Sequence, residues 1–193
     1  MALQLGLLEK WGGALNFNGS LGYVDAGDDA SLNLTNSITI EAWVKPATAQ
    51  EICWVDPGPG NVGIASKVEK SIGSANWSWQ LRYGSPENCR LGFQFHEAGA
   101  GSKWVTAKED LTSGQWYHLA GTFDETDIKF YLNGELKDTN TLTAIAGYLN
   151  KLLIASDGWS EFTGYFNGSV DEFRVFNRAL DAAEIKAIFE ATK

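Results

Sequence analysis

Apolar residues recur along the chain in short segments, which alternate with polar residues or run continuously, and Gly, Asn and Asp separate the segments. Such a pattern is typical of β-strands joined by turns. It predicts twelve strands, at residues 14–17, 23–24, 38–45, 63–67, 77–83, 91–96, 103–107, 116–123, 128–132, 135–138, 152–156 and 168–177. This many short strands in one chain favour an all-β, two-sheet antiparallel sandwich.

Two local signals identify a hairpin and a helix. Asn133-Gly134 stands between two strand segments, and this dipeptide favours the type I′ turn because both central residues take positive φ angles. Residues 180–189 carry apolar side chains at helical spacing, and Asp181 and Glu184 are spaced as a capping box. The sequence therefore predicts a tight hairpin and a short C-terminal helix.

Composition and charge exclude several classes of partner. The chain has 193 residues, 44% of them hydrophobic, and no linker divides it, so we expect a single domain over residues 1–193. Its net charge of -9 would repel phosphate backbones and anionic lipid headgroups. Its apolar runs are much shorter than the roughly 18 residues that cross a bilayer. We predict no nucleic acid partner and no membrane insertion.

The two cysteines, Cys53 and Cys89, are too few for a thiolate zinc site and do not form a Cys-x-x-Cys redox pair. If successive predicted strands run antiparallel, the loop with Cys53 and the turn with Cys89 lie at the same end of the sheet. A disulfide between them would imply an oxidising compartment, and so a secreted or cell-surface protein. The alternative is two reduced thiols that pack as small apolar groups.

Five segments occur in an order that resembles a known family: Gly13-Ala-Leu-Asn-Phe-Asn-Gly19, Ser37-Ile-Thr-Ile-Glu-Ala-Trp-Val-Lys-Pro46, Gly114-Gln-Trp-Tyr-His-Leu-Ala-Gly-Thr-Phe-Asp124, Phe130-Tyr-Leu-Asn-Gly134 and Phe166-Asn-Gly-Ser-Val-Asp-Glu-Phe-Arg-Val-Phe-Asn-Arg-Ala-Leu180. Together they resemble the laminin-G-like branch of the concanavalin A-like lectin/glucanase superfamily. The resemblance implies a jelly roll of two antiparallel sheets. Members usually begin with a further strand, so either this chain is part of a larger secreted protein or that strand is reduced.

The resemblance leaves three functions open, because this scaffold carries carbohydrate-binding modules, glycoside hydrolases or polysaccharide lyases, and adhesion domains. Hydrolysis needs paired carboxylates on one strand, and the nearest pattern, Glu125-Thr-Asp127, falls in a predicted turn. The resemblance implies that His118 is a structural strand residue. We therefore assign no catalytic residue, and the leading hypothesis is a non-catalytic, lectin-like module that binds a polysaccharide or oligosaccharide.

Two neighbouring strands place polar side chains on the face opposite their apolar residues. With Ser85-Pro-Glu-Asn88 as the turn between them, this face carries Ser78, Gln80, Arg82, Gln94 and His96. Amides and a guanidinium offer the paired donors and acceptors that sugar hydroxyls require. We predict that Gln80, Arg82, Gln94 and His96 bind a ligand; the alternative is an ordinary solvated sheet face.

Tryptophans in glycine-rich turns are candidate stacking platforms for a pyranose ring. The candidates are Trp54, Trp104 and Trp159, whereas Trp43 and Trp116 belong to the family's framework strands and are expected in the core. At least one of the three candidates should be exposed for binding.

Calcium is the one cofactor that the residues suggest, since oxygen-rich turns can supply its ligands. In the family that the chain resembles, a structural calcium ion often lies between residues that correspond here to Asn18 and Asp171, and Gly19 and Asp28 belong to the same kind of turn. The alternative is that these are hydrogen-bonded turn residues without a metal.

Overall fold

The computed structural model describes residues 2–4, 13–47, 62–68, 77–83, 91–109, 111–158 and 164–193. Within these residues the strands are β1 (Ala2–Gln4), β2 (Leu15–Asn18), β3 (Val24–Asp25), β4 (Ser37–Pro46), β5 (Val62–Val68), β6 (Trp77–Tyr83), β7 (Leu91–Glu97), β8 (Gly101–Thr106), β9 (Tyr117–Asp124), β10 (Asp127–Leu132), β11 (Glu135–Thr141), β12 (Leu152–Ile154) and β13 (Asn167–Phe176). A 3-10 helix covers Ala30–Leu32, and the α-helix α1 covers Ala182–Thr192.

The strands form two antiparallel sheets that pack face to face as a jelly-roll sandwich. A seven-stranded sheet has the order β1-β13-β4-β9-β10-β11, with β2 also paired to β13. A six-stranded sheet has the order β3-β12-β5-β6-β7-β8. The inner faces of both sheets contribute to one hydrophobic core, in which Ile40, Phe93, Phe130 and Phe173 are fully buried.

The predicted elements are confirmed. All twelve predicted strands are present, with ends that differ by at most three residues, and β1 is an additional strand paired with β13. Helix α1 begins after the N-cap Asp181, whose carboxylate accepts a hydrogen bond from the Glu184 amide in a complete capping box. Strands β10 and β11 form the predicted hairpin, with φ angles of 52° at Asn133 and 76° at Gly134.

Helix α1 covers a buried ionic cluster on the outer face of the seven-stranded sheet. The Glu41 carboxylate lies 3.3 Å from His118 Nε2 and accepts a hydrogen bond of 2.8 Å from Arg174. On the same face, the Trp43 indole N–H donates a hydrogen bond of 2.9 Å to Oγ1 of Thr192, the last residue of helix α1. His118, for which the family resemblance implied a structural role, is therefore buried in this cluster.

The tryptophans of the described strands divide into two groups. Trp43 is buried, as expected for a framework residue, and Trp79 is buried in the core. The expectation that Trp116 is a core residue is wrong, because its ring is half-buried beneath the Lys45 ammonium, which lies 5.7 Å from the ring centroid.

Candidate functional site

The candidate site lies on the face of the six-stranded sheet that points away from the core. Leu152 and Ile154 belong to the core, so Leu153 between them faces the opposite side. A continuous row across the sheet shares this side, because Leu153, Ser66, Gln80, Gln94 and Trp104 are successive cross-strand neighbours on β12, β5, β6, β7 and β8.

The predicted polar face is present, but it is not an open surface. Gln80 and Gln94 are directly opposite each other, so the polar faces of the two strands coincide as expected. However, Gln80 is only 1%, Arg82 7% and Gln94 6% exposed. The expectation of an exposed patch therefore needs correction: these side chains form a buried polar layer, and only His96 is half-exposed among the four polar residues assigned to ligand binding.

A loop around Asp157 covers part of this layer. The Gln80 amide donates to the Asp157 carbonyl oxygen at 2.9 Å, and Ser66 Oγ donates to the Ser156 carbonyl oxygen at 2.9 Å. The loop can approach because Gly63 lacks a side chain: a Cβ there would lie 2.2 Å from backbone atoms of the loop. Gly63 is also the cross-strand neighbour of Arg82, so the loop reaches the guanidinium side of the layer.

Arg82 and Trp104 pack together within the layer. The guanidinium carbon lies 4.6 Å from the centroid of the Trp104 ring, which is half-buried. Burial lowers the pKa of Arg82 to about 10, and the charge of Asp157 opposes this shift. The predicted sugar platform Trp104 thus already has a cation on one face of its indole.

His96 lies in an aromatic environment on the same side of the sheet. Its ring makes an edge contact with Trp77 at 4.8 Å between centroids and another with Tyr148 at 6.3 Å. Burial lowers the pKa of His96. Among the described residues, no partner reaches His96 Nδ1 or the buried side-chain oxygens of Gln80 and Gln94, so these atoms require water or a ligand group as hydrogen-bond partner.

The open part of the face lies on the other side of the Asp157 loop, at the β3–β12 edge. A cavity of about 390 Å³ occurs there, which lies within the size range of small-molecule sites. Its lining consists of Tyr23, Asp25, Asp28, Val68, Leu149, Asn150, Lys151, Leu153, Ser156, Gly158 and Tyr165.

Two tyrosines give this cavity an aromatic wall. The rings of Tyr23 and Tyr165 are stacked, with centroids 6.2 Å apart and planes 27° from parallel. Tyr23 is 48% exposed, whereas Tyr165 is half-buried and is held by bridges to Gly63 and Ser156. A backbone hydrogen bond from Phe166 to the Ala155 carbonyl fixes the same segment.

The charged groups of the cavity are arranged around Asp25. Its carboxylate accepts a hydrogen bond of 2.7 Å from Lys151 and one of 2.9 Å from the Gly27 amide, and these bonds hold the pKa of Asp25 below its ordinary value. Asp28 is exposed and accepts no hydrogen bond from the residues that the structure describes. Within the described residues, the cavity therefore offers one carboxylate that is paired and one that is not.

A second lysine lies behind the lining. Lys67 is 2% exposed and donates a hydrogen bond of 2.9 Å to the Asn150 carbonyl oxygen. Burial lowers the pKa of Lys67, and the charge of Asp28 opposes this shift. Because its ammonium group is directed to the Asn150 carbonyl, Lys67 fixes the lining rather than presenting a cation to a ligand.

Comparison with known families agrees with this architecture. A laminin-G profile, described as the concanavalin A-like lectin/glucanases superfamily, matches residues 18–186. The chain belongs to the concanavalin A-like lectin/glucanase superfamily. No curated protein matches it in sequence.

Solved structures of this superfamily's fold resemble the chain at low sequence identity. Domain 4 of an extracellular GH43 arabinanase from Geobacillus stearothermophilus, in complex with arabinotriose, is 22% identical with a TM-score of 0.61, over 93% of this chain and 77% of that chain. The binding domain of Paraclostridial Mosquitocidal Protein 1 is 15% identical with a TM-score of 0.69, and the match covers 99% of this chain and 47% of that chain. A heptameric SAP-like pentraxin from Limulus polyphemus is 14% identical with a TM-score of 0.57, and the match covers 97% of this chain and 81% of that chain.

The predicted calcium ligands of this superfamily member do not converge. Asn18 is opposite Asn167 on β13, whereas Asp171 is four positions further along that strand, about 13 Å away. Gly19 follows Asn18, and Asp28 lines the cavity at the edge of the other sheet. These four residues therefore do not fit one calcium ion, and the described part of the chain has no cluster of three His, Cys, Asp or Glu side chains suited to a metal.

Other predicted site residues fall outside the described residues. These are the stacking candidates Trp54 and Trp159 and the disulfide pair Cys53 and Cys89. In contrast, Tyr23 and Tyr165 were missed by the sequence reasoning, which considered only tryptophans as platforms. The Gly-rich neighbourhood of Tyr23 is a weak signal, and nothing local to Tyr165 indicates that the two rings meet.

Proposed function

We propose that the domain is a non-catalytic carbohydrate-binding module that holds a polysaccharide or oligosaccharide at the β3–β12 edge. The observation that carries this proposal is the stacked pair Tyr23 and Tyr165 beside a cavity with carboxylate groups. An aromatic face packs against the apolar face of a sugar ring, while carboxylate oxygens accept hydrogen bonds from its hydroxyl groups. The arabinotriose complex of the similar arabinanase domain supports a sugar as the ligand class.

The electrostatics of the cavity favour binding over hydrolysis. A glycosidase needs a carboxylic acid with a raised pKa as proton donor. Hydrogen bonds from Lys151 and Gly27 instead lower the pKa of Asp25, so this group stays ionised at neutral pH. Of the earlier candidate pair, Glu125 lies in the exposed β9–β10 turn and Asp127 is the first residue of β10.

A protein-binding adhesion domain is the second candidate, and exposed leucines favour it. Leu21 is 73% exposed and Leu149, which lines the cavity, is 68% exposed. Together with Tyr23 they give the edge an apolar character that a partner protein could cover. No helix in the described residues is long and apolar enough to cross a membrane.

Binding to a panel of immobilised neutral and acidic glycans tests the proposal. Tyr23→Ala and Tyr165→Ala should each weaken binding at least tenfold, because each removes part of the stacking surface. Leu136→Ala is the matched control, since Leu136 is 51% exposed but lies on β11 of the other sheet. Glycan binding that does not depend on either tyrosine would contradict this site, and release of shorter oligosaccharides would identify an enzyme.

The disulfide and secretion stay predictions from the sequence, and so does calcium, which would need other ligands than the four predicted residues together. The same panel measured with calcium and with a chelator shows whether an ion contributes to binding. Mass spectrometry of the unreduced protein decides whether Cys53 and Cys89 are bridged.

A further inference from the structure

Of the charged side chains that line the cavity in the described part of the chain, two are carboxylates and one is an ammonium group. Asp25 and Asp28 are these two carboxylates. Among the described lining residues, Lys151 is the exposed cation, and its ammonium group is paired with Asp25 at 2.7 Å. An incoming anion therefore meets a cation that is already neutralised.

The lysine behind the lining does not reverse this balance. Lys67 is 2% exposed, and its ammonium group is hydrogen-bonded to the Asn150 carbonyl oxygen, so a ligand cannot contact it directly. The chain as a whole adds to the repulsion, with a net charge of -9. An anionic ligand would have to displace the Asp25–Lys151 pair and approach the exposed carboxylate of Asp28.

We propose that the cavity selects uncharged sugar residues and rejects anionic ones, such as uronates, sialylated sugars and sulfated sugars. Asp28 is the specificity-determining residue: its carboxylate accepts hydrogen bonds from neutral sugar hydroxyls and repels a carboxylate or sulfate at the same position. This inference rests on the proposed function, because it concerns the same cavity and the same stacking tyrosines.

A matched pair of ligands tests the selection. The neutral glycan that binds best in the panel is compared with a derivative oxidised at C6 to the uronate, which keeps the linkage and changes the charge. The wild-type protein should bind the neutral form about tenfold more tightly at low salt. The preference should narrow in about 0.5 M NaCl, where a repulsion between exposed charges is screened.

Variants separate the role of Asp28 from that of the aromatic wall. Asp28→Asn should reduce the preference about three- to tenfold, mainly by improved binding of the uronate form, because it removes one repelling charge. Glu135→Gln on β11 is the matched control and should leave the preference unchanged, since its exposed carboxylate lies on the other sheet.

The outcomes distinguish the two proposals. Tyrosine-dependent binding of the uronate form that equals or exceeds binding of the neutral form overturns the charge selection and leaves the carbohydrate site intact. A preference that Asp28→Asn does not change also overturns it. Binding of neither form, or binding that is independent of Tyr23 and Tyr165, overturns the proposed function together with this inference.

Discussion

The guanidinium carbon of Arg82 lies 4.6 Å from the centroid of the Trp104 ring, although the two residues are on strands separated by β7. Gly92 is the β7 residue opposite Arg82, and Thr106 on β8 is opposite Gly92. The contact joins a buried cation to a half-buried indole, and the charge of Asp157 also acts on this cation. This relationship predicts that Arg82 contributes mainly to stability.

Replacing Arg82 by Met should lower the free energy of unfolding by about 3 to 5 kcal/mol, because it removes the cation opposite the buried Asp157 charge. Trp104→Ala should cost less, about 1 to 3 kcal/mol, since the ring is half-exposed. Urea unfolding measures both. Arg82→Lys, which keeps the charge without the planar stack, should fall between wild type and Arg82→Met; an Arg82→Met variant as stable as wild type would contradict this role.

The carboxylate of Asp124, beside the β9–β10 turn, makes the stability of the protein depend on pH. Burial alone would raise the pKa of Asp124, but hydrogen bonds from Lys129 Nζ, the Asp127 amide and both the hydroxyl and amide of Thr126 hold it well below its ordinary value. A carboxylate whose pKa is lowered by folding stabilises the protein above its unfolded pKa, about 3.9, and loses this contribution as the pH falls toward the folded value.

Asp124→Asn should therefore lower the free energy of unfolding by about 1 to 2 kcal/mol at pH 6, the scale of a charge-assisted hydrogen bond. The difference from wild type should shrink steadily below about pH 4. Unfolding curves from pH 6 to pH 2 measure it. A difference that stays constant over this range would show that the charge of Asp124 is not the cause.

The buried carboxylate of Glu41 should be among the most sensitive positions in the seven-stranded sheet. Glu41→Leu removes the 2.8 Å partner of Arg174, which keeps its pair with Glu172, and should cost about 1 to 3 kcal/mol. Glu41→Gln keeps an acceptor and should cost less. Glu135→Leu removes an exposed pair with Lys137 and is the control, with an expected loss below about 1 kcal/mol; equal losses for Glu41→Leu and Glu135→Leu would contradict the prediction.

Local chemistry explains why the strands, hairpin and helix could be predicted. Period-two apolar patterns, the positive φ angles of Asn133-Gly134 and the reciprocal bonds of Asp181 and Glu184 each depend on residues a few positions apart. The sequence alone also identified the family, because its ordered motifs mark the framework strands. It also placed Gln80 and Gln94 on the same side of the sheet, since alternation along each strand separates its polar face from its apolar face.

Burial and the cavity were decided only by tertiary structure. The cover over Gln80 comes from the Asp157 carbonyl, 77 residues further along the chain. Tyr23 and Tyr165 meet because β3 and the segment before β13 converge at one sheet edge, a packing that no local pattern encodes. Alternation in a strand determines which side of the sheet a side chain faces, but whether water, a loop or a ligand lies on that side depends on the folded arrangement of distant segments.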